Sequence, residues 1–96
     1  KILDGNFFSI EPGFYASNKF GLRIENLYFA KKYSNGIKLE GVTLVPYDLD
    51  LINWKLINNQ EKLGIKKYHQ KIYETLKGQL GPEYRDYFKK YLIDKL

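Results

Sequence analysis

Carboxylates are the groups in this sequence best placed to do chemistry. Glu11 closes a run that alternates as a strand should, and Glu25 lies inside a second such run, two positions after Arg23. If the two runs pair, strand alternation aims both glutamates and Arg23 to one side of the sheet. Two carboxylates facing one site repel each other, and the remedies are a nearby cation, a bound metal or a shared proton. On spacing alone, a surface glutamate or a Glu–Arg ion pair is the ordinary reading, because these two glutamates make no specific motif. Other chemistry is sparse. The chain has no cysteine, which excludes a disulfide framework and a thiolate metal site. Its one histidine, His69, falls in a helical tail and reads as a packing or interface residue rather than a ligand.

The elements that must hold these groups are short. Residues 6–11 read as a strand, with Phe8 and Ile10 on one face and Phe7, Ser9 and Glu11 on the other. Pro12-Gly13 breaks it, and Asn18-Lys19 with Gly21 marks a turn region. A second strand is predicted over 22–29, placing Arg23, Glu25 and Leu27 on one face. Ser34-Asn35-Gly36 is a strong turn signal, since Asn-Gly readily supplies positive φ. A third strand follows over 37–45 and stops at Pro46, which suggests an antiparallel meander.

The period then changes. Asn58 followed by Glu61 has the form of a capping box, and Ile65, Tyr68, Ile72 and Leu76 recur at helical spacing. They predict a helix over about 59–80. Gly81-Pro82 ends it and opens another, whose apolar stripe is Tyr84, Tyr87, Phe88, Tyr91 and Leu92. The segment 47–54 is too apolar for a free linker and is expected to pack along the body of the protein.

Composition bounds the function classes. The 96 residues are 44% hydrophobic and 17% aromatic, which is the make-up of a globular chain. No run of about 18 apolar residues exists, so no membrane span is predicted. The net charge of +5 divides into +1 over 1–57 and +4 over 58–96. The lysines of the second half are interspersed with acidic residues on predicted helix faces, so they read as a solvated surface rather than a nucleic-acid patch.

The segment SIEPGFYASNKFGLRIEN, residues 9–26, closely resembles the one that carries the last two metal ligands in pita-bread metallopeptidases. That group includes prolidase, methionine aminopeptidase and aminopeptidase P. GVTLVPYDLDLI, residues 41–52, is similar to the stretch following the catalytic core in the long, three-domain aminopeptidase P. KKYHQKIYETL, residues 66–76, resembles the helix of that extension, a tail the other members and the short bacterial enzymes lack. The resemblance implies that Glu11 binds one metal and Glu25 bridges two, with Arg23 supporting the ligands and Tyr15 beside it. It implies hydrolysis of the N-terminal residue from peptides with proline in second position, using two divalent ions, typically manganese. Two aspartates and a histidine complete the ligand set in that family. They lie upstream with the substrate-binding histidines, so no catalytic residue is expected here. Asn18 stands where the family usually has glycine, and Asn53 where the extension often has aspartate.

The expected fold is therefore α+β. An antiparallel strand meander over 1–46 forms the C-terminal piece of a pita-bread catalytic domain, and the extension over 47–96 is a connector plus two helices. The implied partners are a proline-containing peptide, the upstream half of the catalytic domain and a second copy bound through the extension. Neither nucleic acid nor membrane is among them, and the expected compartment is the cytoplasm. With two of five ligands, the isolated chain is expected to be inactive. The alternative is a non-catalytic dimerisation or interaction module derived from the same region. The chain begins at Lys1 without methionine, so further sequence is expected before it.

Overall fold

A computed structural model describes residues 1–96, which form two compact units, Lys1–Thr43 and Leu44–Leu96. The first unit is all β, with β1 (Phe7–Ile10), β2 (Gly13–Ala16), β3 (Phe20–Arg23), β4 (Asn26–Tyr33) and β5 (Gly36–Gly41). A three-stranded sheet has the order β1-β4-β5, and β2-β3 form a separate ribbon. Every pairing is antiparallel. The three predicted strands thus become five, because 13–16 pairs as a strand and residues 24–25 interrupt the second run.

Register explains the interruption. Phe7 pairs with Phe29 and Ile10 with Asn26 in one ladder, while Gly13 pairs with Arg23 and Ala16 with Phe20 in the other. Partner numbers add to 36 throughout both ladders, so β1–β2 and β3–β4 are one long hairpin broken once. The break falls at Pro12, which has no N–H to donate. A single bond, from the Ile24 N–H to the Pro12 carbonyl at 3.0 Å, carries the register across. At the tip, Lys19 N–H closes a turn on the Ala16 carbonyl at 3.0 Å, with Asn18 at φ 58°. Asn tolerates that left-handed conformation, so it can stand where glycine is usual.

β4 is the central strand and carries the fully buried Ala30. Tyr33 pairs with Gly36, which leaves Ser34 and Asn35 as the loop and gives Gly36 the positive φ, 135°. The third strand ends at Gly41 rather than at 45. Pairing still runs a little further, since Val42 N–H donates to the Leu27 carbonyl at 2.9 Å and Thr43 Oγ1 accepts from Leu27 N–H at 2.8 Å.

The second unit is helical. α1 spans Asn59–Leu76, and its capping box is complete: Asn58 Oδ1 accepts from Glu61 N–H at 2.8 Å and Glu61 Oε2 accepts from Asn58 N–H at 3.0 Å. It stops short of the expected residue 80. The chain tightens into a 3-10 turn over Lys77–Gln79, around Gly78, where a helix is weakest. α2 is Pro82–Phe88, started by its proline, and it widens into a π turn over Lys89–Ile93. Two further 3-10 turns, Leu49–Leu51 and Trp54–Leu56, fill the connector, capped by the side chains of Asp48 and Asn53. Asn53 performs a cap that aspartate would also make. The connector packs only in part, for Leu51 and Leu56 are exposed while Ile52 and Ile57 are half-buried.

Ile72, Phe88 and Ile93 form the core of this unit, joined by Leu44, Tyr68, Tyr73, Leu76 and Leu92. Within this unit the apolar stripes of the two helical segments therefore meet each other. The predicted stripe of α2 is also too wide: Tyr84, Tyr87 and Tyr91 are exposed, with the rings of Tyr87 and Tyr91 4.9 Å apart. Ile93 was invisible to a 3.6-residue period, because the π turn brings a residue five after Phe88 onto the same face. His69 is fully buried beside this core. Its Nε2 accepts from Tyr47 N–H at 2.9 Å, so Nδ1 carries the proton and donates to the Leu92 carbonyl at 2.7 Å. It clasps the connector to the last helical turn, which is a packing role, as expected.

Phe88→Ala should lower the unfolding free energy by about 3 kcal/mol or more, the cost of emptying a buried aromatic site, while replacing Lys66 and Lys67 stays within about 0.5 kcal/mol. Urea unfolding followed by circular dichroism checks both. A second expectation concerns Tyr33, whose hydroxyl donates to Glu40 Oε1 at 2.5 Å. That hydrogen bond, with some desolvation and the carboxylate's charge, raises its pKa above 10.0. The raised folded value means the contribution is complete below pH 10.0 and fades as pH climbs through the folded pKa. In an ultraviolet titration, Glu40→Gln should bring one tyrosine transition down; an unchanged curve would contradict the bond.

Candidate metal centre

Glu11 follows β1 and Glu25 sits between β3 and β4, so neither lies within a regular strand. The shared register nevertheless makes them cross-strand partners, between Ile10–Asn26 on one side and Pro12–Ile24 on the other. Pro12 and Ile24 form a hydrogen-bonded pair with one of its two bonds lost. The neighbouring Glu11–Glu25 position is then a non-hydrogen-bonded pair, the type whose Cα atoms approach to about 4.5 Å and whose side chains lie closest. Arg23, Tyr15, Gly13 and Gly21 alternate onto the same face.

The other predicted site residues converge on Glu11. Arg23 Nη1 meets Glu11 Oε1 at 3.5 Å, and Ser9 Oγ donates to Glu11 Oε2 at 3.3 Å. Arg23 also donates from Nε at 3.1 Å and from Nη2 at 2.7 Å to the Tyr15 hydroxyl. The guanidinium is thus held as a fork by one phenol oxygen, with its remaining arm on the carboxylate. Side chains of Arg23 and Glu11 are 48% and 42% exposed, so this ion pair adds less than about 1 kcal/mol to stability. Its value is in orientation.

Sequence reading missed three members of this arrangement. Ser9 was placed on the Glu11 face but given no role. Gly13 and Gly21 were read as turn residues, yet both lie in the ribbon under the Tyr15 ring. The available signal was a glycine two residues before the aromatic and another two residues before the arginine.

Two opposed carboxylates offer hard oxygen donors, which suit manganese, magnesium or zinc. Nowhere in the chain do three or more His, Cys, Asp or Glu side chains gather as a metal-holding group. The pair fits part of a coordination shell, and a tightly held ion needs ligands from elsewhere.

Comparison with known proteins shows which family the chain is similar to. The fold matches X-prolyl aminopeptidase from Caenorhabditis elegans, described as a cytosolic enzyme with a di-nuclear active site. That match has a TM-score of 0.72 and 24% identity, and covers 93% of this chain and 16% of that one. The family model for the C-terminal region of peptidase M24 matches residues 36–95. The chain belongs to the peptidase M24 family, among the Xaa-Pro aminopeptidases, and matches their C-terminal region. One relative is the Saccharomyces cerevisiae protein FRA1, 42% identical over 82 residues that cover 82% of this chain and 11% of that protein. Another, named probable Xaa-Pro aminopeptidase P, from Pyrenophora teres, is 42% identical over 78 residues, covering 73% of this chain and 12% of the relative. The chain therefore spans about an eighth of the length of these curated relatives.

The register is open to direct test. In the doubly substituted Glu11→Cys, Glu25→Cys chain, mild oxidation should close an intramolecular disulfide, because cross-strand partners lie within the required Cα range of roughly 4.4–6.8 Å. Free thiols that persist in the folded, monomeric protein would contradict the opposition.

Proposed function

We propose that this chain supplies Glu11 and Glu25 to the dinuclear metal site of an Xaa-Pro aminopeptidase. Glu11 would bind one ion and Glu25 bridge the two, with manganese as the expected metal. When bound, such ions activate a water molecule and polarise a carbonyl. The residues here would do the rest of the local work: the glutamates hold charge in place, and Tyr15 keeps Arg23 against Glu11 so that this carboxylate keeps one orientation. The substrate class would be peptides with proline second from the N-terminus. In this reading residues 1–46 close the catalytic domain and 47–96 are the extension of the long enzymes. The expected compartment is cytoplasmic; no helix is long and apolar enough to cross a membrane.

The observation that carries this reading is the two-sidedness of the ribbon. One face holds Glu11, Tyr15, Arg23 and Glu25. The other presents Pro12, Phe14, Ala16, Phe20, Leu22 and Ile24, an apolar face. Phe14 is 58% exposed, Phe20 58%, Leu22 52% and Ile24 50%. A ribbon with a carboxylate site on one side and bare aromatics on the other is built to be covered. The upstream half of the catalytic domain is the natural cover, and it would also bring the missing aspartates and histidine. A second reading, an interaction module acting through the extension as a dimer, is favoured by exposed Tyr84, Tyr87 and Tyr91 on one helical segment.

The isolated 96-residue chain should release no N-terminal residue from an Xaa-Pro peptide with manganese present. Mixing it with the upstream segment of a homologous enzyme should restore manganese-dependent hydrolysis, and Glu25→Ala in this chain should abolish it. Full activity of the Glu25→Ala mixture would overturn the ligand assignment. Hydrolysis by the chain alone would overturn the need for an upstream half.

A further inference from the structure

We propose that Gly13 and Gly21 are positioning residues, a two-glycine floor that holds the Tyr15 ring where its hydroxyl can lock the Arg23 guanidinium beside Glu11. The consequence for metal binding rests on the reading of Glu11 as a ligand; the floor itself does not.

Neither glycine is required by backbone conformation. The glycines with positive φ are Gly5 and Gly36, and both Gly13 and Gly21 sit in ordinary paired strand positions. Space is the requirement. Gly21 lies directly across from Tyr15, and Gly13 lies two residues before it on the same face. A Cβ on Gly21 would come to 2.6 Å from Tyr15 Cδ1 and 3.1 Å from Cε1. One on Gly13 would come to 2.8 Å from the Tyr15 hydroxyl oxygen and 3.0 Å from Cε2. The ring therefore spans from one glycine to the other, closer to the backbone than any side chain allows. Gly64 and Gly78, by contrast, have nothing within 4 Å of an added Cβ.

The direction of yielding follows from exposure and from which bonds are weakest. Tyr15 is 63% exposed, so a methyl beneath it can push the ring outward without disturbing a core. What is lost is the pair of hydrogen bonds at the ring's far end, from Arg23 Nε and Nη2. Arg23 presents its donors in a rigid planar fork, so those two bonds fix where its third arm points. Without them the guanidinium swings, and Glu11 keeps only the contact from Ser9. The glycines thus act through Tyr15 and Arg23 on the orientation of a carboxylate, at little cost to folding.

Nuclear magnetic resonance on the 96-residue chain tests this without any enzymatic readout. In the unsubstituted chain the Arg23 Nε–H should give a slowly exchanging signal, and the Gly21 α-protons should be displaced by the Tyr15 ring current. Tyr15→Phe should keep the ring-current displacement and lose the slow Arg23 signal. Gly21→Ala and Gly13→Ala should each lose the Arg23 signal while the β4–β5 amide pattern persists, and Gly64→Ala should change neither. An Arg23 signal that survives in both alanine variants would overturn the proposal. So would loss of the β4–β5 pattern in both, since the glycines would then serve folding rather than positioning. A failure of the metal-ligand reading would leave these spectra as described and appear only in the reconstituted activity.

Discussion

One register runs from Phe7 to Phe29, and the rest of the first unit depends on it. A slip of a single residue would oppose Glu11 to a neighbour of Glu25 and send Glu25 to the other face. Several independent contacts resist that slip. Phe7 and Phe29 pack at 4.9 Å and Phe8 and Tyr28 at 6.5 Å on opposite faces of the sheet. Phe14 and Phe20 pack at 5.9 Å in the ribbon, and the Asn18 turn sets the tip. Pro12 weakens the ladder at the one place where the carboxylates lie. The missing donor loosens pairing locally while the Ile24 bond keeps count, so the glutamates stay opposed in a segment freed from regular strand geometry.

The same register separates chemistry from adhesion. Outside the turn at 17–19, odd-numbered positions from 11 to 25 carry the acid, phenol and guanidinium, and even-numbered positions carry proline, aliphatic and aromatic groups. No charge lies among the apolar positions of that ribbon, and no large aliphatic lies among the polar ones. The second unit solves a different problem. Its core is small, and a buried histidine joins three segments distant in sequence through two backbone bonds. His69 is the one polar residue fully buried in the chain, and both its ring nitrogens are used.

Much of this was legible in the residues. Alternation placed Glu11, Arg23 and Glu25 on one side of paired strands, the capping box located the start of α1 to the residue, and His69 read as packing. Less visible features had physical causes. Residues 13–16 looked like a turn because Pro-Gly and Asn-Lys punctuate them, although the long-range pairing with β3 overrides that local signal. Ile93 escaped because the π turn over Lys89–Ile93 changes the period locally. The tyrosines of α2 looked like core because they share a helical stripe with Phe88, whereas only a narrow strip of that helix meets α1. The glycine floor was hidden because its cause is a ring lying across the ribbon, a contact that no window along the chain contains.

The central claim is that Glu11 and Glu25 hold adjacent ions, and electron paramagnetic resonance of the manganese-loaded complex with an upstream half reads this most directly. A bridging Glu25 should give the exchange-coupled spectrum of a manganese pair, and Glu25→Gln should convert it to that of isolated ions. A coupled spectrum unchanged in both Glu25→Gln and Glu11→Gln would show that the ions sit elsewhere and would contradict the account.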